Sequence, residues 1–521
     1  MRDTIVLIVL TAVMATGCKK DFIAINTDPN HIAAANINYS YLFTSAQLVT
    51  SGNSDAYGYE DWRNNLIYSS CMIQHLSSTA GYWDGDKYLY DAGYNSAYWD
   101  NNYNNSVTNI VEVVTHTATD TSQVNFYNIA RIFKVFMFQR MTDMYGDCPY
   151  SEAGLGFIKG ITQPKYDRQQ DIYANMLSEL EDAAGKLDPG RPNTLGSADL
   201  LYGGDPGQWK RFAYSEMVRI SMRMSKVDPV NAQKWVRNAV QGGVMGSNTD
   251  NAIVAHQNLT GTPVSNGTGL VLIGNDPNAY RLSNTFVNFL KSTRDPRLSC
   301  LATVCNDPTV TTDKGDTSFG NQLGQPNGFD APNSGSAYDL TRAPNWPGTQ
   351  NKYSIVNRYS FARLDAPSFL LTYGETQLLL AEAAQRGWVT GEQASAYYGN
   401  GVRGAMAMLG AQAGAGPSDA AITAWLTANP YNVGDALNQI NTQYWVASFM
   451  DENESFANWR RSGYPALIPV NYPGNVTNGT IPRRFTYPQG EASTNPANYT
   501  SAVAGLDNGD KMTSHVWWDV K

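Results

Sequence analysis

The chain has 521 residues, with 46 acidic and 37 basic side chains and a formal net charge of −9. An acidic balance without a basic run excludes a nucleic-acid binder of the usual kind, because phosphate neutralisation needs clustered lysine and arginine. Only 16% of residues are charged, while 31 Tyr and 12 Trp make the chain too aromatic for disorder and suit neutral polar ligands better.

In chain order, an apolar run from Ile5 to Ala15 follows Arg2 and ends in Ala15-Thr16-Gly17-Cys18. It is too short to cross ~30 Å of hydrocarbon and reads as a signal peptide over residues 1–17. Cys18 after Thr-Gly resembles a bacterial lipobox. Acyl chains at ~0.8 kcal/mol per buried methylene would tether the mature chain without a spanning helix. Of the other cysteines, Cys71, Cys148, Cys300 and Cys305, only the last two are close in sequence, and a local disulfide or two free thiols both fit. No cysteine pair has zinc-ligand spacing and the five histidines are scattered, so no structural zinc is expected.

The body reads as helices. Phe126, Ile129, Phe133, Phe136, Met137 and Met141 recur at helical spacing, ending before Tyr145-Gly146-Asp147. Ile172, Met176, Leu180 and Ala184 predict the next, stopped by Asp188-Pro189-Gly190. Trp209 to Met224 and Ala232 to Val240 follow, then Phe369 to Arg386, Ala394 to Leu409, Ala420 to Leu426 and Leu437 to Phe449. The pattern predicts an all-α fold of tetratricopeptide-like helix pairs, without a repeated consensus. Two long segments, 243–280 and 295–365, are rich in Gly, Pro, Asn, Ser and Thr. Loops beyond ~12–15 residues are functional or disordered, and the aromatics within these favour order. The proline-rich C-terminal stretch ends in Val516-Trp517-Trp518, expected to be buried. Length alone would permit three or four domains; the pattern reads instead as one domain over 18–521 with loop insertions.

Several motifs then line up. Cys18-Lys19-Lys20-Asp21-Phe22 with Ile25-Asn26-Thr27-Asp28-Pro29-Asn30 resembles the mature N-terminus of SusD/RagB-type lipoproteins of Bacteroidetes. Tyr145-Gly146-Asp147-Cys148-Pro149-Tyr150, Tyr373-Gly374-Glu375-Thr376-Gln377-Leu378, Asn458-Trp459-Arg460-Arg461-Ser462-Gly463 and Pro482-Arg483-Arg484-Phe485 are similar to later motifs of that family, in the same order. The resemblance implies about four tetratricopeptide-like helix pairs with a loop-rich ligand-binding part. It also implies outer-membrane anchoring through Cys18, facing outward, and partnership with a SusC-like TonB-dependent transporter. The implied cargo is oligosaccharide, or peptide in some members.

Aromatic faces with Asp, Asn and Arg around them match the C–H face and hydroxyl rim of a sugar. One ring burying roughly 100 Å² is worth about 2.5 kcal/mol. In the densest aromatic segment, Trp99 and Tyr103 share a helical stripe with Val107, Ile110 and Val114 and belong to the core. Trp83, with Tyr82, lies in the Gly-containing turn before that helix and is the leading platform. Tyr280 and Trp346, in or beside the long segments, are further platforms. Asp84, Asp86, Asn275, Asp276 and Arg281 are the candidate polar partners. Glu375 and Glu382, seven apart, read as a solvated or arginine-paired face. Asp507-Asn508-Gly509-Asp510 lacks a closing Glu for calcium, so no cofactor is expected, with a bound calcium elsewhere left open.

Hydrolase, P-loop and dinucleotide motifs are missing. The expectation is a binding lipoprotein rather than an enzyme. The alternative is a lipoprotein glycoside hydrolase on a helical scaffold, which would need only two carboxylates ~5–10 Å apart.

Overall fold

The computed structural model describes residues 37–52, 61–259 and 261–520. Cys18 and the motif around it lie outside the described residues. Helix starts follow local chemistry. Asn38 caps α1 (Tyr39–Thr50) and Asp91 caps α2 (Ala92–Asn101). A π-helical segment, Asn102–Val107, continues α2 into α3 (Thr108–Thr117), and α4 runs Val124–Tyr145. After α5 (Gln169–Lys186), an Asp followed by Pro opens both α6 (Pro206–Arg223) and α7 (Pro229–Gly242). The side chain satisfies a free N–H, and proline's fixed φ suits the first turn. Next come α8 (Asn284–Ser292), α9 (Tyr373–Gln385), α10 (Ala394–Ala411), α11 (Asp419–Ala428), α12 (Ala436–Ala447), α13 (Glu452–Ser462) and α14 (Pro496–Ala504).

Neighbours pack as α4 with α5, α6 with α7, α9 with α10, and α12 with α13, the tetratricopeptide-like arrangement expected. The α9–α10 pair is close because small residues face each other. A Cβ on Gly374 would lie 2.9 Å from the Ala405 nitrogen, and one on Gly401 2.7 Å from Leu378. The helix expected from Phe369 instead begins at Tyr373. Residues Ser368–Leu371 form a strand, and Thr372 starts the helix through a capping box with Glu375. The apolar run there could not distinguish a strand from a buried helical turn.

The long segments are ordered by short antiparallel ladders: β1 (Leu76–Ser78) with β5 (Tyr280–Leu282), β4 (Ala252–Val254) with β8 (Ser368–Leu371), and β6 (Ala302–Thr303) with β7 (Ile355–Val356). A fourth joins β2 (Cys148–Pro149) to β3 (Tyr166–Asp167). Cys71, Cys148, Cys300 and Cys305 are all free thiols, which decides against the local disulfide. Among the described residues, no helix is long and apolar enough to cross a membrane.

The helix pairs meet around buried charge. Arg219 on α6 lies 3.4 Å from Glu216 and Glu375 and 3.5 Å from Glu454, and donates to the Leu370 carbonyl. Arg223, one turn on, donates to Glu454 at 2.5 Å and to Asp143 of α4 at 3.1 Å. Asp143 also accepts from Trp518 near the C-terminus. Beside this network Arg461 grips Glu382 through two 2.8 Å bonds. Glu375 and Glu382 are therefore buried and arginine-linked, not solvated. Burial pushes the Glu382 carboxyl up, but Arg461, Arg386 and Asn441 together outweigh it and hold the pKa at about 2. Among the described residues Glu216 has no hydrogen-bond partner on either oxygen, and burial, only partly offset by Arg219, raises it to about 7.

A carboxyl raised from 4.5 to about 7 on folding binds a proton that the unfolded chain has lost. Its favourable contribution is complete below pH 4.5 and lost as pH rises to about 7. Glu382 is already ionised across that window. Between pH 5 and 8, Glu216→Gln is expected to lose up to about 3 kcal/mol less stability than the wild type, read from denaturant midpoints at both pH values. Parallel pH profiles would show that Glu216 does not carry the proton.

Candidate functional site

The β1–β5 ladder brings together two segments just over two hundred residues apart. It pairs Leu76 with Leu282, Ser77 with Arg281 and Ser78 with Tyr280. Continued past the strand ends, that register sets Tyr82 opposite Asp276, and Ser78 Oγ donates across the gap to the Ala279 carbonyl at 2.6 Å. The buried Asp276 carboxylate accepts from the Tyr82 hydroxyl at 2.5 Å on Oδ1. On Oδ2 it accepts from the indole N–H of Trp62 at 2.7 Å and of Trp83 at 3.0 Å. One carboxylate thus orients three aromatic side chains through charge-assisted bonds, about twice as strong as neutral ones. Burial first, and then the bond to Asp276, push the Tyr82 hydroxyl well above its ordinary pKa.

Gly85 fixes the turn that carries these aromatics. A Cβ there would sit 2.2 Å from the Ile67 carbonyl, within the π-helical segment Asp61–Ser70, so only glycine permits the approach. Tyr82 keeps 43% of its surface exposed and lines an open depression of about 720 Å³ with Thr79, Asn275, Asn278 and Thr309. The side chains of Asn275 and Asn278 are exposed and have no hydrogen-bond partner among the described residues. Asp276 is the one carboxylate among the residues that line the depression.

The other residues singled out from sequence take different places. Trp83 is not an open platform: it is 1% exposed and lies nearly parallel to Tyr280, ring centroids 6.3 Å apart. The glycine that suggested a free turn instead presses it onto the scaffold. Tyr280 is fully buried, its hydroxyl on the Leu272 carbonyl. Arg281 is also buried and donates to the carbonyls of Asn278, Tyr280 and Gln350, tying the loops behind the site; burial lowers its pKa to about 10. Asp86 is enclosed and accepts from Gly328 N–H and Asn327; burial, partly offset by these bonds, raises it to about 6. Asp84 is half-buried and outside the lining of the depression. Trp346 packs 6.2 Å from Tyr353 in a small separate core with Leu340 and Ala343, also outside that lining. Tyr82, Asn275 and Asp276 are the residues brought together, with Trp83 and Tyr280 beneath them.

Trp62 and Asn278 were not anticipated. Trp62 lies between Glu60-Asp61 and Arg63-Asn64-Asn65, where no apolar period marks it, and only the fold carries it to Asp276. A second aromatic and charged cluster, outside the lining of the depression, is equally nonlocal. Tyr472 donates to Asp330 at 2.9 Å, Lys87 sits 3.1 Å from the same carboxylate and 5.0 Å over the Tyr472 ring, and Tyr338 packs 4.8 Å from that ring. Among the described residues no group of three or more His, Cys, Asp or Glu is placed to hold a metal.

Residues 29–488 match the model of the SusD-like 2 family, described as starch-binding and associating with the outer membrane. Among solved structures the chain is similar to a chitin-binding protein, with 34% identity and a TM-score of 0.79 over 93% of this chain and 100% of that one. A SusD-like protein from Bacteroidetes AC2a is 28% identical, with a TM-score of 0.80 over 93% and 100% of the two chains. A chitin-binding SusD homologue from Flavobacterium johnsoniae shares the fold at 23% identity and a TM-score of 0.72, over 93% and 98%. No curated protein matches the chain.

Asp276→Ala is expected to cost about 1–3 kcal/mol, because it removes the charged acceptor shared by two indole N–H groups. It should also raise acrylamide quenching of tryptophan fluorescence as Trp62 and Trp83 loosen. Tyr82→Phe, which removes one exposed donor, should cost at most about 1 kcal/mol. Equal losses would deny Asp276 its anchoring role.

Proposed function

The chain belongs to the SusD-like family, and from that premise we propose that it is a lipid-anchored outer-membrane protein that binds chitin-type oligosaccharides and delivers them to a SusC-like TonB-dependent transporter. The observation that carries the binding reading is the Asp276 clamp. It holds Tyr82 half open at the edge of a depression rimmed by unpartnered carboxamides. A ring fixed before the ligand arrives costs little side-chain entropy on binding. Asn275 and Asn278 offer both donors and acceptors, as acetamido and hydroxyl groups require. The chitin class is favoured over starch, xylan or peptide by the 34% identical chitin-binding relative.

Binding without cleavage fits the lining. Retaining and inverting glycosidases use two carboxyl groups, whereas Asp276 stands alone here and both its oxygens are engaged. A single stacked ring at about 2.5 kcal/mol supports modest affinity, which suits cargo that must be released to a transporter. This reading needs no cofactor. Anchoring falls to Cys18, which follows Ala15-Thr16-Gly17 as in a lipobox.

Calorimetry with chitotetraose and maltotetraose tests the reading. Chitotetraose is expected to bind and to be recovered intact, with Tyr82→Ala weakening it at least about tenfold, or ~1.4 kcal/mol. Preference for maltotetraose, no binding, or unchanged affinity in the variant would count against the site. For the anchor, Cys18→Ser is expected to shift the protein from the membrane to the soluble fraction, as loss of the acyl chains requires.

A further inference from the structure

The chain contains five Asn-Gly steps, at Asn266, Asn327, Asn400, Asn478 and Asn508. In such a step the glycine backbone nitrogen can attack the asparagine side-chain amide, because glycine has no Cβ to hinder the approach or restrict the backbone. The attack needs a free N–H and a carboxamide able to turn toward it. Hydrogen bonding in the folded protein therefore decides which steps react.

Four of the five are held. Asn266 is buried, donates to the Ala366 carbonyl at 2.9 Å and accepts from Gly269 N–H at 2.7 Å, while Gly267 N–H donates to the Gly52 carbonyl at 2.7 Å. Asn327 donates to the Leu76 carbonyl at 2.8 Å, and Gly328 N–H to Asp86 at 2.7 Å. Asn400 and Gly401 lie inside α10, where the backbone is helical and its N–H groups are engaged. Asn478 is exposed, yet Gly479 N–H donates to Asn475 Oδ1 at 2.8 Å.

Asn508 differs. Its side chain is exposed, and Gly509 N–H has no acceptor among the described residues. Nothing crowds that glycine, since a Cβ there would meet no atom within 4 Å. The carboxamide is held by one bond, Nδ2 donating to Thr513 Oγ1 at 2.8 Å. Around it the loop is closed by Asp507 with His515 at 2.7 Å and by Ser514 Oγ donating to the Gly509 carbonyl at 2.6 Å.

We propose that Asn508-Gly509 is a self-modification site, at which the folded protein converts an amide to a carboxylate without an enzyme. Gly509 N bonds to Asn508 Cγ, the Cγ–Nδ2 bond breaks, and the amide nitrogen leaves as ammonia with the proton that Gly509 N gives up. A succinimide ring remains. Water opens it at either carbonyl, giving aspartate or an isoaspartate whose backbone runs through the side chain. Either product loses the donor to Thr513 and adds a negative charge between Asp507 and Asp510. Asp510 accepts from Arg484 at 2.6 Å and from Tyr499 at 3.2 Å, so the new charge falls beside a tie that holds the 482–487 stretch.

The test incubates the full chain at neutral and at mildly alkaline pH and follows each Asn-Gly peptide by mass spectrometry, with isoaspartate resolved by chromatography. The Asn508 peptide is expected to convert to both acids, faster at the higher pH. The other four should be slower by at least about tenfold, equivalent to ~1.4 kcal/mol of protection. In denaturant the five should convert at similar rates, and Asn508→Gln should remove the reaction from the folded chain. An Asn508 that stays an amide, or another Asn-Gly step that converts as fast in the folded protein, overturns the assignment. So does a ranking that persists in denaturant, which would trace it to neighbouring residues and not to the fold. The loop lies outside the lining of the Tyr82 depression, so the outcome is independent of the glycan-binding reading.

Discussion

Arg219 and Arg223, one helical turn apart on α6, face carboxylates from other helices and hold them in register. Glu454 comes from α13, Glu375 from α9 and Asp143 from α4, with Glu216 on α6 itself. Four acids face two guanidiniums in a dry interior, where burial, with the neighbouring Glu454 charge adding to it, pushes the pKa values of Glu216 and Glu375 to about 7. Truncating one partner of such a network leaves a buried charge unmatched, at a cost of about 3–5 kcal/mol. The constraint reaches the chain end, because Trp518 donates to Asp143 and Arg460 stacks 4.8 Å from the same indole. Helices separated by hundreds of residues are thereby tied at one point.

The loop-rich part around Asp276 is a consequence of that fixed frame. His75 contacts Glu452 of α13 at 2.5 Å just before β1, so the start of the β1–β5 ladder is pinned to the scaffold. Register then does the positioning: a one-residue slip would turn every side chain over and break the Tyr82–Asp276 pairing. Charged groups that would be exposed in an isolated loop serve as internal ties here. Arg281 binds three carbonyls and Asp86 caps the Asn327–Gly328 turn. What remains open to solvent is a small set of tyrosine and carboxamide groups on rigid supports.

The helix pairs were legible because amphipathic stripes are local, and the Asp-Pro starts of α6 and α7 follow from backbone chemistry alone. α13 was not. It is buried along nearly all its length and rich in Glu, Asn and Arg, so it lacks the apolar period by which helices are read. The same reason left Glu375 and Glu382 readable only as a solvated or an arginine-paired face, and left Arg461 unrecognised as a partner. Charge in a sequence reads as surface, and only a tertiary partner makes burial affordable. Trp83 failed in the opposite direction, since a glycine turn looks free until a neighbouring backbone is pressed against it.

By itself the sequence determined the helical scaffold and the ordered motifs of the family, since periodicity, caps and motif order are properties of neighbouring residues. The tertiary structure alone decided which aromatics stay open. Tyr82 and Trp83 are adjacent in the chain, yet one faces the depression and the other the core. That division depends on Asp276, nearly two hundred residues away, and on a strand register that no local pattern encodes.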